Sequence, residues 1–439
     1  MKRQNQELEG MKDEYVDIAL PYKEKELSGV RVPRKLLNSI YTLPEVDPVP
    51  NIQESVLMAL NNPIGSACLR ELINPSFRVA IIVDDITRPT PTAIILPYVL
   101  AELADAGLSN NQITIVMALG SHRNMSEIEL EQKLSKEVIS KYRITQSHFD
   151  DPENLVLLGQ SEDGVDIYID VEVATADFKI GLGSIVPHGA VGWSGGGKII
   201  YPGVAGENTV AYFHYTHGLT EANLTGMDET VVRTRLEEWV DIVGLDFIIN
   251  AVLTPNAEVY DIVAGHYIAA HRAGVASAHK AYTREYNRQD DIVVSVSHPH
   301  DIDFWQAGKG FYAAEALVKD GGSIIVATPC PEGVGLHYLY PERIGRDDNV
   351  ELIRQIIDGK GEMPDDPISL APAAMVSKIR KRINLHIVSP GLTAEDMGKA
   401  YIQTHSSIQE GLEYLIKQYE NPSISVVLSA ELCFKSSIN

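Results

Sequence analysis

Arg78-Val79-Ala80-Ile81-Ile82-Val83 runs directly into Asp84-Asp85-Ile86-Thr87-Arg88-Pro89-Thr90-Pro91. A short apolar run rich in β-branched residues and closed by a turn signal predicts a strand buried on both faces, the habit of a parallel sheet covered by helices. The helix-like pattern at Ala93–Ala106 supplies such a cover. The same formula recurs at Ile113–Ala118 (ITIVMA), which ends in Gly120-Ser121-His122-Arg123. A third strand near Asp177–Leu182 enters the glycine-rich stretch Gly183–Gly206, and strand patterns at Leu245–Thr254 and Glu258–Val263 follow. A helix of many small residues spans Tyr267–Arg288. Beyond Asp290-Asp291, the strands Ile292–Ser297, Ser323–Thr328, Leu385–Val388 and Ser423–Leu428 are separated by helical patterns. Alternation of this kind predicts an α/β protein of two α/β domains, a larger one over 1–285 and a smaller one over 290–439, flanking an active-site cleft and joined by the helix at 267–288.

The chain has 439 residues, with 37 Lys+Arg against 60 Asp+Glu and a formal charge of −23. A 44% hydrophobic and 22% charged composition is ordinary globular material and excludes disordered, collagen-like and coiled-coil chains. An acidic surface repels nucleic acid, and no local basic patch offsets it. Cys68, Cys330 and Cys433 are far apart and form no CxxC pair, which argues against a disulfide framework or structural zinc and for a reducing compartment. The charged N-terminus does not read as a signal peptide, and the apolar stretch near Ala93–Ala101 is about half of a membrane span. The expectation is a soluble cytoplasmic protein with no membrane partner, compatible with a homo-oligomer.

In open α/β sheets, functional loops lie at the carboxyl ends of strands. In DDITRPTP the prolines stiffen a turn that carries two carboxylates and Arg88. The bland reading is a cap with a self-satisfied Asp–Arg pair; the functional one is an anion site, because a guanidinium offers a forked donor to a carboxylate or phosphate. In GSHR, His122 is either a satisfied turn residue or an acid/base group. The stretch 183–203 holds seven glycines, Lys198 and His188, which implies backbone that approaches something closely or turns with positive φ. Gly192 to Lys198 spells the opening of a phosphate loop, but Ile199 stands where Ser or Thr would hold magnesium, so that reading fails. Lys198 in a confined pocket would have a lowered pKa and could act as a nucleophile. His214 and His217 share a helix face at a spacing of three, with His214 the candidate metal ligand and His217 structural. In the second domain Gln306 and Lys309, three apart at a helix start, are either a solvated first turn or polar donors for a ligand, while His298 and His300 read as loop residues.

Taken in order, DDITRPTP, GSHR, PHGAVGWSGGGKIIYPGVAG with its downstream histidine, and QAGK resemble the nickel-dependent lactate racemase family, over a span from about Leu20 to Gly391. The resemblance implies racemisation or epimerisation of 2-hydroxy acids by reversible hydride transfer. It implies a nickel-pincer nucleotide, a pyridinium-3,5-bisthiocarboxylic acid mononucleotide, tethered through Lys198 and delivered by cofactor-assembly proteins. His214 would be the nickel ligand; His122 and His188 the paired acid/bases; Asp85, Arg88, Gln306 and Lys309 the substrate-binding residues. Thr87, Gly195 and Gly196 would lie along the cofactor. Two other readings stay open: a divalent-metal hydrolase using Asp84, Asp85 and nearby histidines, and a non-catalytic nucleotide-binding protein. Trp305 is bulky and would shape the substrate's side-chain pocket, and no extra arginine motif marks a second carboxylate.

Overall fold

The computed structural model describes residues 14–221 and 223–438. Its two large sheets draw in chain order on β1 (Leu37–Tyr41), β2 (Val79–Asp84), β3 (Ile113–Ala118), β4 (Arg143–Gln146), β5 (Phe178–Ser184) and β6 (Phe247–Leu253). They continue with β7 (Val259–Gly265), β8 (Asp290–Val296), β9 (Val318–Ala327), β10 (Asn384–Val388), β11 (Gln403–Thr404) and β12 (Ile424–Val427). Two compact units result. The larger comprises residues 44–282 with 363–368, and the smaller the described residues up to 43 with 283–362 and 369–438.

In the larger unit the strand order is β7-β6-β5-β2-β3-β4, parallel throughout except for the β6–β7 hairpin. Every residue of β2, β5 and β6 is buried, so these strands read as continuous apolar runs and do not alternate. Helix α1 (Thr92–Asp105) lays Ile95, Leu96 and Val99 on Ile81, Val83, Ile115 and Leu182 in one core. From β2 the chain moves to β3 on one side and later returns to β5 on the other. The order therefore reverses between β2 and β5, and the carboxyl ends of these neighbours bound the crevice where ligands of such sheets bind.

The smaller unit is an all-parallel sheet in the order β11-β10-β9-β8-β12-β1. Its edge corrects the expected boundary, which placed everything before 285 in the larger domain. Strand β1 pairs along β12, from Leu37 opposite Ile424 to Tyr41 opposite Val427. Ahead of it, Ile18, Leu20, Leu27, Val30 and Val32 join Val294, Ile325 and Leu412 in a core of this unit. The cause is non-local: Leu-Asn-Ser-Ile-Tyr is a half-exposed edge strand with no apolar run, and its partner lies near the other end of the sequence. The helix expected at 267–288 occupies Ala269–Tyr282 and packs in the larger unit, so the chain changes units at 282/283, close to the expected linker. Among the described residues, no helix is long and apolar enough to cross a membrane.

Candidate active site

The DDITRPTP loop leaves the end of β2, and its two carboxylates have different occupations. Asp84 Oδ1 lies 2.7 Å from Lys133 Nζ, on α2 (Glu127–Leu134), and Oδ2 accepts from the Thr90 hydroxyl. Lys133 also donates to the Arg88 carbonyl at 2.9 Å. Burial pushes the Asp84 carboxyl upward while Lys133 opposes it. Asp84 thus ties the loop to the sheet and to α2. Asp85 Oδ1 accepts from the Thr87 hydroxyl at 2.6 Å and the Thr87 amide at 3.2 Å. Its Oδ2 sits 2.6 Å from His122 Nδ1. Burial alone would raise Asp85, but the charges of His122 and Arg88 and these donors outweigh it, and the carboxyl is held well below the usual range.

An ionised Asp85 calls for the proton on Nδ1 of His122, so the neutral ring offers Nε2 as an acceptor. Thr87 Oγ1 in turn accepts from the Arg88 guanidinium at 3.1 Å, so the loop holds its arginine through the same threonine. Arg123 does not join this group. It makes two bonds to Glu129, at 3.0 and 2.8 Å, and Glu129 closes the N-terminus of α2 by accepting from the Ser126 amide.

His188 stands on a two-residue strand, Pro187–His188, paired with Gly192–Trp193. The Ala190 amide donates to His188 Nδ1 at 3.1 Å, so the neutral ring carries its proton on Nε2.

Lys198 lies in a short 3-10 turn, Gly196–Ile199. Burial first, then the positive charges of Arg88 and Arg233, draw its amine down to about 7, with Asp85 opposing. The glycines before it turn left-handed and approach neighbouring side chains closely. A Cβ on Gly195 (φ +75) would come within 2.7 Å of Ile185 Cγ1, and one on Gly196 (φ +58) within 2.9 Å of the His271 ring. Gly195 and Gly196 are thus required by the protein's own packing behind the turn, which sets where Lys198 emerges.

Helix α3 (Glu207–Gly218) carries His214, 8% exposed, with Nδ1 2.8 Å from the Val210 carbonyl. A ring held through Nδ1 in this way is the arrangement of a metal-ligating imidazole fixed by its other nitrogen. His217, one turn on, is buried. In the smaller unit, Asp303 caps α4 (Phe304–Ala307) by accepting from the Gln306 amide at 2.8 Å. Lys309 Nζ donates to Gln306 Oε1 at 2.8 Å, so these two side chains do share a face. Trp305 lies against His337, ring centroids 4.0 Å apart.

Three residues with no mark in the sequence stand behind the Lys198 turn: Arg233, Asn250 and His271. Asn250 Oδ1 accepts from the Gly196 amide at 2.8 Å. Arg233 sits in TVVRTRLEEWV, which reads as an ordinary amphipathic helix with solvated charges, and only tertiary structure reveals that it is 1% exposed.

Residues 22–226 match the lactate racemase N-terminal domain and residues 286–428 the lactate racemase C-terminal domain. The lactate racemase of Lactiplantibacillus plantarum is 32% identical over 310 residues, 70% of this chain and 73% of the relative. That of Thermoanaerobacterium thermosaccharolyticum is 30% identical over 286 residues, 64% of this chain and 67% of the relative. The solved lactate racemase apoprotein from T. thermosaccharolyticum superimposes with a TM-score of 0.82 at 24% identity, covering 96% of this chain and all of the other. A Thermotoga maritima protein gives 0.70 at 19% identity over 90% of this chain and all of the other. With both domains matched in order and the fold shared, the chain belongs to the lactate racemase family and is an isomerase of the racemase type.

Proposed function

We propose that this racemase interconverts the enantiomers or epimers of a short 2-hydroxy acid, lactate or a near relative, with His122 and His188 as the paired acid and base. A hydrogen on the α-carbon of a carboxylate is a poor acid, and a nickel-pincer nucleotide, when bound, supplies an acceptor that takes it as hydride. The side chains fit such a group. Lys198 offers an amine that is half neutral near pH 7, suited to a covalent tether, and His214 offers an oriented Nε2 lone pair for nickel.

The chain's own residues do the rest. Arg88 is the forked donor for the substrate carboxylate. His122 takes the hydroxyl proton at Nε2, while Asp85 balances the imidazolium that forms. His188 would return a proton to the oxygen from its imidazolium form when the hydrogen comes back from the other face. The observation that carries this reading is the 2.6 Å contact between His122 Nδ1 and the ionised Asp85, which orients the ring as a base and balances the proton it takes. A metal hydrolase built on Asp84 and Asp85 lacks such support, since Lys133, Thr90, His122 and Thr87 already engage both carboxylates. None of the three cysteines is in a disulfide, which suits a cytoplasmic setting where cofactor-assembly proteins load the enzyme.

The test is chiral chromatography of a panel of 2-hydroxy acids incubated with protein co-produced with those assembly proteins. Wild type is expected to racemise at least one, and His122→Ala and His188→Ala each to lose it; interconversion that survives either substitution refutes the pairing. Intact mass of the same preparation is expected to show an adduct missing from Lys198→Ala.

A further inference from the structure

We infer that Arg233 is a positioning residue for Lys198: it holds the glycine turn in the conformation that presents the lysine amine as a nucleophile. The inference rests on the reading of Lys198 as the cofactor's anchor. Arg233 projects from α5 (Val231–Val243), whose N-cap Thr230 accepts from the Arg233 amide at 2.9 Å. Its guanidinium donates to the carbonyls of Trp193 and Gly195, the second at 3.4 Å. The carbonyl between them, Ser194 O, lies 2.9 Å from His271 Nε2 on α6 (Ala269–Tyr282). His271 Nδ1 is 3.1 Å from Arg272, and Arg272 is itself held by Glu237 at 2.8 and 3.0 Å.

Successive carbonyls of an extended chain point to opposite sides. Here three in a row are taken by donors from one pair of helices, and the chain manages it by turning left-handed at Gly195 and Gly196. The Asn250 carbonyl oxygen then accepts from the Gly196 amide, and the Lys198 amide folds back on the Gly195 carbonyl at 3.2 Å. The carbonyls of Trp193, Ser194 and Gly195 and the amide of Gly196, which lead into Lys198, are thus fixed from behind.

The choice of arginine is the informative part. Two buried carbonyls could be satisfied by a neutral amide at a smaller desolvation cost, whereas a guanidinium kept 1% exposed adds a positive charge beside the lysine. The charged groups acting on Lys198 are Arg88 and Asp85 from the loop after β2 and Arg233 from α5. Arg233 itself is brought down to about 10, chiefly by burial, and so stays charged at neutral pH. One side chain therefore fixes the turn and disfavours the ammonium form of the amine that the turn displays.

The experiment follows reductive methylation of Lys198 by formaldehyde and cyanoborohydride, read by peptide mass spectrometry from about pH 5 to about pH 10. The neutral amine adds to the aldehyde, water leaves to give an iminium, and cyanoborohydride delivers hydride to its carbon. The protein is produced without assembly proteins, and exposed lysines of the same digest serve as the internal reference. Wild type is expected to label Lys198 with a midpoint near 7. Arg233→Gln is expected to raise that midpoint by about one unit and to slow labelling at pH 7 about tenfold. Arg233→Lys keeps the charge but reaches only one carbonyl, so its midpoint should stay and its rate fall about two- to fivefold. A wild-type midpoint and rate in whichever of these variants folds overturns the inference. That outcome would leave the racemase reading intact, while failure to find the Lys198 adduct in matured enzyme would sink the anchor and not the role of Arg233 in labelling.

Discussion

Lys198 is a residue that the fold tolerates at a cost. Its folded pKa of about 7 lies below the value near 10.4 of an unfolded lysine, so between the two the unfolded chain holds a proton that the folded chain lacks. Stability therefore climbs with pH across that window and carries the full penalty below it. Lys198→Met is expected to gain about 1–3 kcal/mol at pH 7, allowing for solvent relaxation, and to flatten the rise towards pH 10; thermal melts of the two proteins at both pH values decide it. Asp85 has the opposite sign. Its depressed carboxyl contributes stability above the unfolded value of about 4 and loses it as pH falls through the folded value. Asp85→Asn should weaken the acid limb of the wild-type melting curve and, by freeing the His122 ring from its tautomer, slow racemisation of loaded enzyme about a hundredfold or more, seen by chiral chromatography. His122, His188, Lys198 and His214 stand out in the sequence by their place in the GSHR loop, the glycine-rich segment and the helix after it, the motifs on which their proposed roles rest. Arg233, Asn250 and His271 do not, since their work is done through backbone atoms and burial has no letter of its own in the sequence.

At the scale of elements, the buried parallel strands were the most legible part. RVAIIV, ITIVMA and the run into Ser184 appear within a residue or two of where their composition puts them, because a strand covered on both faces has no polar side to confuse the pattern. The glycine turn was legible as unusual but not for its cause, which is Ile185, Leu236 and His271 pressing on the chain from behind. Gly196→Ala places a methyl 2.9 Å from the His271 ring at a φ of +58 and is expected to cost about 2–4 kcal/mol. The loss should show as a lower melting temperature together with slower modification of Lys198. A variant that melts like wild type would mean that the His271 ring moves aside without consequence.

For the whole molecule, the α/β layering was legible in the sequence, whereas the completion of the smaller unit by described residues up to 43 was not. Removing residues 1–43 is expected to strip β1 from β12 and uncover Val294, Ile325 and Val426. Hydrogen exchange should then speed up in β8, β9 and β12 far more than in β2, β3 and β5, and equal acceleration in both sets would show that the units do not hold separate cores.

The pairing of β1 with β12 also has a consequence for synthesis. Leu37–Tyr41 is synthesised before residues 44–282 and Ile424–Val427 after all of them, so the second sheet cannot close until the bulk of the other unit has been made. Residues 44–282 can meanwhile collapse as they emerge, while Leu37–Tyr41 waits without its partner strand. Nascent chains are thus vulnerable to proteases and to one another during that interval, and a holding chaperone would find its substrate in the strand that waits.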